Sequence, residues 1–482
     1  MPDEDHKTSA VPLPPPSVVW GDESEAVAAA LEWARARTVR ASDPKTTARP
    51  PEELAEEVAE EVGEVITPEG IGAQRAMQIF TEILEPATRS QDDPMNLAYI
   101  PAAPTRASVA FDEAVASANI FGGLWETGAG AIFAENQVLT WITDMLGWPR
   151  SSGGCFVSGG TAGNLSAIAA ARESWRTRHG RPEGGFKLAC SSTAHSSVRS
   201  AARLLDMEVV PIPVDERDHL TGAAVADALA SDPSIVAVVA SAGSTNAGVV
   251  DDIDDVADAA HAHGAWVHVD GAYGGAGLCA PSAQDRFRGV EKVDSFTVDP
   301  HKWLFAPYDC CALVYRNPAQ ALATHSQHAE YLDNAERGKQ NPADLAAHLT
   351  RRTRGLPLWY SLAVHGTDRY TQAVEMSLST ARAVAAGIKE RSFLRLLREP
   401  ELSIVVFDRP GWDWDDYVTW SNRLARDGVI LCVPTRHKGA PALRLAFVNP
   451  ETKAEHVLAI LDSLAGSPDE ANASPKHGPA GA

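Results

Sequence analysis

The chain reads as an α/β fold built on a mainly parallel sheet, and two observations predict it. From Gly153 onward, short apolar runs alternate with amphipathic helical stretches, the pattern of strand–helix units that place helices on both faces of a sheet. Three residues of strong chemical character, His195, Asp270 and Lys302, each stand just past one of those runs. Ligands of such sheets gather beyond the carboxyl ends of the strands, so the pattern predicts a fold and the edge where a site would lie.

Residues 1–19 contain Pro12 and Pro14-Pro15-Pro16 without apolar periodicity and are expected to be disordered. Helices are expected over about 23–39, 52–65 and 69–84, interrupted by the segment from Asp43-Pro44 to Pro50-Pro51. They have little core of their own and need a surface to lie on. Together with the extended, proline-bounded segment Asp93–Pro101 they make an N-terminal arm of residues 20–103. A large domain, 104–362, follows. In it Ile132, Leu139, Ile142 and Leu146 form the core-facing stripe of a helix over 131–146. Strands are expected at 187–191, 208–212, 235–241, 265–269, 294–298 and 310–316, with helices at about 162–178, 196–205, 221–230 and 252–263. The polar stretch 324–344 reads as a long mobile loop. A helix over roughly 356–390 leads into a small C-terminal α/β domain, 363–465, with strands at 402–407, 429–433 and 442–447. Residues 466–482, rich in Gly, Pro, Ser and Ala, are expected to be a disordered tail.

The 482 residues carry 42 Lys+Arg against 64 Asp+Glu, a formal net charge of −22. So acidic a chain is a poor partner for nucleic acid or an anionic membrane surface. Met1-Pro2-Asp3-Glu4-Asp5 lacks the basic and apolar regions of a signal peptide, and no apolar run is long enough to span a bilayer. Six cysteines form neither a zinc spacing nor a disulfide framework, and the cytoplasm is the simplest placement.

Lys302 follows an apolar run and has His301 directly before it. A lysine in a desolvated site becomes a usable nucleophile and can form an imine with an aldehyde cofactor. Pyridoxal phosphate (PLP) is held in this way, with a carboxylate opposite its pyridinium nitrogen. Asp270, preceded by Val267 and Val269, would be that carboxylate. Its other readings are a helix cap or a metal ligand, and His261 and His263, two apart on a helix, do not share a face to complete a metal site. Ser158-Gly159-Gly160-Thr161-Ala162-Gly163-Asn164 precedes an apolar helix. Such a turn is either a simple helix entry or an anion cradle at a helix N-terminus. It is not a Walker loop, since no Gly-Lys-Ser/Thr follows. With Lys302 and Asp270 in view, Gly160, Thr161 and Asn164 are assigned to the cofactor phosphate.

Asp299-Pro300-His301-Lys302-Trp303, Asp270-Gly271-Ala272-Tyr273 and Ala194-His195-Ser196-Ser197-Val198 together resemble the group II PLP-dependent amino-acid decarboxylases, which include the aromatic-amino-acid and glutamate decarboxylases. The resemblance runs from about residue 93 to 463. It implies a large domain of the PLP-dependent transferase-like class (fold type I) and an arm that wraps the partner subunit of a homodimer. It also implies decarboxylation of an L-amino acid through an imine at Lys302. His195 would stack on the ring opposite Ala272, Thr245 would lie near the cofactor, and His301 would neighbour the imine. Arg444 matches an arginine that meets the substrate carboxylate in glutamate-specific members; a structural salt bridge is the other reading. Tyr99, Ile100, Pro101, Phe121 and Trp125 resemble the substrate pocket of the aromatic-acid branch, whereas Glu126 leaves room for a basic side chain. An aromatic or apolar amino acid is therefore favoured, a basic one second, and an acidic one least.

One departure bears on the product. Many members carry a tyrosine in the mobile loop that protonates the substrate carbon after CO2 leaves. Here Gln340-Asn341-Pro342 stand near that position, and Tyr331, His325 and His328 are the candidates to replace it. Without such an acid, aldehyde formation competes with simple decarboxylation. Transamination, or a PLP-binding scaffold without turnover, completes the set of readings.

Overall fold

The computed structural model describes residues 19–40, 48–327 and 341–466. The expected leader up to residue 18, the tail beyond 466, and His328 and Tyr331 lie outside the described residues. The chain divides into two compact units, residues 1–89 and 90–482.

In the first unit, helices Ser24–Val39, Pro51–Val62 and Ala73–Ile79 follow the expected order. The third continues as a π-helical turn to Leu84. Trp33 meets Phe80 edge-on at 4.8 Å. Neither of the first two helices buries a residue fully, and Val27, Leu31 and Val39 stand exposed.

The second unit is organised by seven strands: β1 Gly153–Val157, β2 Phe186–Ser191, β3 Met207–Ile212, β4 Ile235–Ser241, β5 Trp266–Asp270, β6 Ser295–Val298 and β7 Cys311–Tyr315. They lie in the order β1-β7-β6-β5-β4-β2-β3. Pairings β3-β2-β4-β5-β6 are parallel, and β7 runs antiparallel to both its neighbours. This is the mixed, mainly parallel sheet that the alternation predicts. Every residue of β4, β5 and β6 is buried, as parallel strands covered on both faces must be. Successive side chains of a strand point to opposite faces. Accordingly Val267 and Val269 join one apolar cluster while Trp266 joins another.

A second sheet, antiparallel throughout, comprises β8 Arg395–Leu396, β9 Ile404–Asp408, β10 Val433–His437 and β11 Ala440–Ala446, in the order β10-β11-β9-β8. It shares a core with helices Thr367–Lys389, Trp414–Arg426 and Ala454–Leu461. The sequence places a strand at 429–433, but β10 begins only at Val433. The apolar run before it spends its hydrogen bonds elsewhere: Leu431 N–H donates to the Met95 carbonyl (3.0 Å), and the Leu431 carbonyl accepts from Leu97 N–H (2.8 Å). The helix expected over 356–390 is two helices, Leu356–His365 and Thr367–Lys389. They part at Gly366, whose φ of 75° a helix cannot contain. Helix Arg106–Ala118 and strand β1 have no counterpart in the sequence reading. The helix start is marked by Thr105, whose hydroxyl accepts from Ser108 N–H at 3.1 Å.

A buried ion pair ties residues 122–135 to residues 351–355. Arg351 donates to Glu135 Oε1 (2.7 Å) and to the Gly122 carbonyl (2.7 Å), and Glu135 Oε1 also accepts from Gly355 N–H (2.9 Å). Both side chains are at most 2% exposed. Removing one member of such a pair strands the other charge, so Glu135→Ala should lower stability by about 3–5 kcal/mol. Urea unfolding monitored by tryptophan fluorescence checks it; a midpoint shift worth less than about 1 kcal/mol contradicts it.

Candidate active site

The carboxyl ends of β1, β2, β4, β5 and β6 open on a cavity of about 280 Å3. Gly160, Thr161, Asn164, His195, Thr245, Asp270, Ala272, His301 and Lys302, all singled out from sequence, line it. Residues 110 or more apart in the chain meet there because each follows a strand of one sheet. Helix Gly160–His179 starts at the cavity, presenting the unpaired N–H groups and positive dipole end of its first turn. The Gly160 position admits no side chain: a Cβ there would lie 2.8 Å from Ala272 Cβ.

Asp270, 9% exposed at the end of β5, is held from two sides. Its Oδ1 accepts from Ala272 N–H (3.1 Å), and its Oδ2 accepts from the Asn164 amide (2.8 Å). Asn164 is expected at the phosphate; instead its amide also donates to Ser197 Oγ (3.0 Å) and its oxygen faces His268 Nε2 (2.9 Å). One helical turn into the helix, its side chain points down toward the sheet and away from the N–H groups of the first turn. The directions of this network follow from Asp270, whose carboxylate can only accept: the Asn164 amide nitrogen faces it, so the Asn164 oxygen faces His268 as an acceptor, and Ser295 Oγ also accepts from the Trp266 indole at 2.9 Å. Ser295 then donates to His268 Nδ1 (2.9 Å), and His268 Nε2–H donates to Asn164. Burial depresses His268 to about 4, keeping it neutral.

The network reaches His195 through Ser197 Oγ, 2.8 Å from His195 Nδ1. That nitrogen also accepts from Ser197 N–H (3.2 Å), so it carries no proton and His195 Nε2 does. His195 thus caps helix Ser196–Leu204 and lines the cavity at once. His301 Nδ1 accepts from Cys310 N–H at 3.0 Å, and its burial outweighs neighbouring charges to bring its pKa below the ordinary imidazole range.

Lys302 Nζ lies 2.8 Å from Asp299 Oδ2. Burial works to lower the lysine pKa, but the charge and hydrogen bond of Asp299, with Asp270 behind them, outweigh it and raise the pKa above its usual value. Asp299 is missing from the sequence assignment. Its signal was the i,i+3 spacing to Lys302, which puts both side chains on one face of the short helix Pro300–Trp303. Ser197, His268 and Tyr308 were also missed.

Other expected residues lie elsewhere. Ile100 is 8% exposed and belongs to the main apolar core. Tyr99 is 68% exposed, Pro101 is buried and Phe121 half-buried, and none of the four lines the cavity of its own chain. Glu126 is exposed at the start of helix Trp125–Met145. Arg444 makes no ion pair among the described residues; its Nε donates to the Thr245 carbonyl (2.8 Å), fixing the turn that carries Thr245 to the cavity. Its Nη2 is buried without a partner, and burial lowers its pKa to about 10. Asn341, where the loop acid was sought, caps a helix instead by accepting from Trp125 N–H at 2.8 Å. His325 Nε2 is bonded to the Ser166 carbonyl at 3.0 Å and does not line the cavity.

A helix N-terminus for a phosphate, a buried carboxylate for a ring nitrogen, flanking groups His195 and Ala272, and a lysine amine make a site whose donor set fits PLP. The side-chain-free approach at Gly160 and the partnerless Asp299 Oδ1 leave polar room for it. These features define an α/β protein of the PLP-dependent class. Residues 67–409 match the pyridoxal-dependent decarboxylase conserved domain, and the chain belongs to that family. Its cofactor is PLP and its reaction class is that of an amino-acid carboxy-lyase. An aromatic-L-amino-acid decarboxylase of Bacillus atrophaeus is 29% identical over 400 residues, 80% of this chain and 83% of that one. An L-2,4-diaminobutyrate decarboxylase of Rhizobium meliloti is 31% identical over 355 residues, 70% and 71% of the two chains. Oryza sativa TDC, solved with PLP and tryptamine, superposes with a TM-score of 0.82 at 21% identity, covering 93% of this chain and 96% of that one. Among the described residues no helix is long and apolar enough to cross a membrane, and no cluster of potential metal ligands occurs.

Proposed function

We propose that this protein converts an L-amino acid with an aromatic or apolar side chain to its amine and CO2, with Lys302 as the residue joined covalently to PLP. The convergence of Lys302, Asp270 and His195 on one cavity carries the reading. Bound PLP supplies an electron sink for the pair left behind as CO2 departs. Asp270 keeps a proton on the pyridine nitrogen by facing it with a carboxylate whose orientation Asn164 and Ala272 N–H fix. First-turn N–H groups at Gly160 and Thr161 orient the phosphate. His195 and Ala272 would shield the ring of bound PLP from water, while His301 presents a neutral imidazole beside Lys302.

The working unit is a homodimer in a reducing cytoplasm. Six free, buried cysteines suit that compartment. An aromatic as exposed as Tyr99, at a positive φ of 53°, and the exposed apolar residues of the first helix suit a partner surface. Tyr99 and Phe121 would then complete a substrate pocket across the two-fold axis, as dimer-forming pockets do. Sedimentation equilibrium should give twice the chain mass of 51.3 kDa; a monomer that turns over substrate overturns this arrangement.

Incubation with a panel of amino acids, measuring CO2, amine, aldehyde and peroxide together, tests the reaction. Amine and CO2 in equal amounts from tyrosine, tryptophan or phenylalanine are expected. Aldehyde and peroxide with little amine would replace decarboxylation by oxidative deamination, and turnover of glutamate alone would sink the substrate choice. The diaminobutyrate-specific relative and Glu126 support a second reading, a basic substrate. Glu126→Gln separates the two. The aromatic reading expects KM for aromatic substrates to change less than twofold, whereas a basic substrate deprived of its ionic partner loses about tenfold or more in kcat/KM.

A further inference from the structure

Asp299 and Lys302 carry an inference that rests on the reading of Lys302 above. Asp299 is 2% exposed and tightly framed: its N–H donates to the Ala272 carbonyl (3.0 Å) and its carbonyl accepts from Lys302 N–H (2.9 Å). Oδ2 lies 2.8 Å from Lys302 Nζ and 3.7 Å from His301 Nε2, while Oδ1 has no hydrogen-bond partner among the described residues. A buried carboxylate is costly unless a cation matches it. Among the described residues, the titratable groups facing the pair leave only Lys302 for that part. Burial brings His301 below the ordinary imidazole range and pushes the Tyr308 phenol and the Cys311 thiol up, so all three are neutral near pH 7. Asp270 adds a second negative charge, and Asp309 is engaged by Arg354 at 2.9 Å.

We propose that Asp299 is a positioning residue that captures Lys302 as its ammonium whenever Lys302 is not joined to the cofactor, and so favours exchange of Lys302 for the substrate amine. An amino acid arrives as an ammonium and sheds one proton before its nitrogen bonds the cofactor carbon that Lys302 Nζ holds. As that C–N bond forms, the substrate nitrogen gives up a second proton and the C=N bond to Lys302 Nζ breaks; Nζ, which carried one proton in that bond, takes up two and leaves as the ammonium, with no electrons transferred. Asp299 stabilises the ammonium so formed and withholds it from competing with the substrate.

Two measurements test this. Apoprotein is mixed with PLP across a pH series, reduced with borohydride, and the labelled peptide quantified by mass spectrometry; separately, KM and kcat are determined for the substrate. In Asp299→Asn the pH midpoint of covalent labelling should fall by about one unit or more. Each unit by which the lysine pKa falls weakens the exchange tenfold, so KM should rise about tenfold or more with a smaller change in kcat. Asp299→Glu should restore part of both. Unchanged midpoint and KM in Asp299→Asn overturn the proposal. So does a folded Asp299→Glu protein that labels and binds substrate no better than Asp299→Asn. Absence of label at Lys302 in the unaltered protein would instead overturn the assignment of Lys302 itself.

Discussion

Lys302→Ala should abolish covalent retention of PLP and lower decarboxylation by at least about 10^3-fold, the scale of losses when a covalent catalyst is deleted. Among the described residues no other lysine lines the cavity. Borohydride trapping followed by mass spectrometry should find no labelled peptide in the variant, and initial rates should fall with it. The substitution also strands Asp299, since a buried carboxylate that loses its cation costs about 3–5 kcal/mol. A loss of activity through unfolding must therefore be separated from a loss of chemistry. Lys302→Arg does so: it keeps a cation beside Asp299 but no amine able to join the cofactor. A folded Lys302→Arg protein that still labels, or that turns over substrate at an undiminished rate, would show that another group holds PLP.

Asp270→Ala should weaken PLP binding by about 2–5 kcal/mol, roughly thirtyfold to several-thousandfold in Kd, because truncating one partner of a buried, hydrogen-bonded charge pair leaves the other unpaired. Two side effects point the same way. The Asn164 amide loses its acceptor at 2.8 Å, and Ala272 N–H loses its partner at 3.1 Å. Asp270→Asn separates charge from shape, since its carbonyl oxygen can still accept from Asn164 or from Ala272 N–H. If charge is what counts, Asn should lose most of what Ala loses; dialysis against buffer without PLP, with residual cofactor read by absorbance, measures both. Normal retention in Asp270→Asn would make the carboxylate a structural cap of the turn after β5.

The alternation of apolar runs determined the parallel core of the sheet, because each buried strand must be apolar along its whole length and each must be followed by a helix to return. For the same reason the residues placed just past strands 187–191, 265–269 and 294–298 could be named as one site from sequence: a common sheet brings all its carboxyl ends to one edge. Elements whose hydrogen bonds depend on distant segments were not legible. The run 429–433 has strand composition, yet pairs with residues 95–97 before β10 begins. Ile100 looks like a pocket residue beside Tyr99 and is a core residue, because burial depends on what packs against it.

Within the site, the sequence by itself determined which chemical groups are present, since Lys302, Asp270 and His195 carry their reactivity with them. The tertiary structure alone decided how they are wired. It directed Asn164, assigned from sequence to the phosphate, to Asp270 and made Arg444 the support of Thr245. A hydrogen bond is a matter of tenths of an ångström between groups more than 100 positions apart in the first case and nearly 200 in the second, and only the closed fold sets such distances.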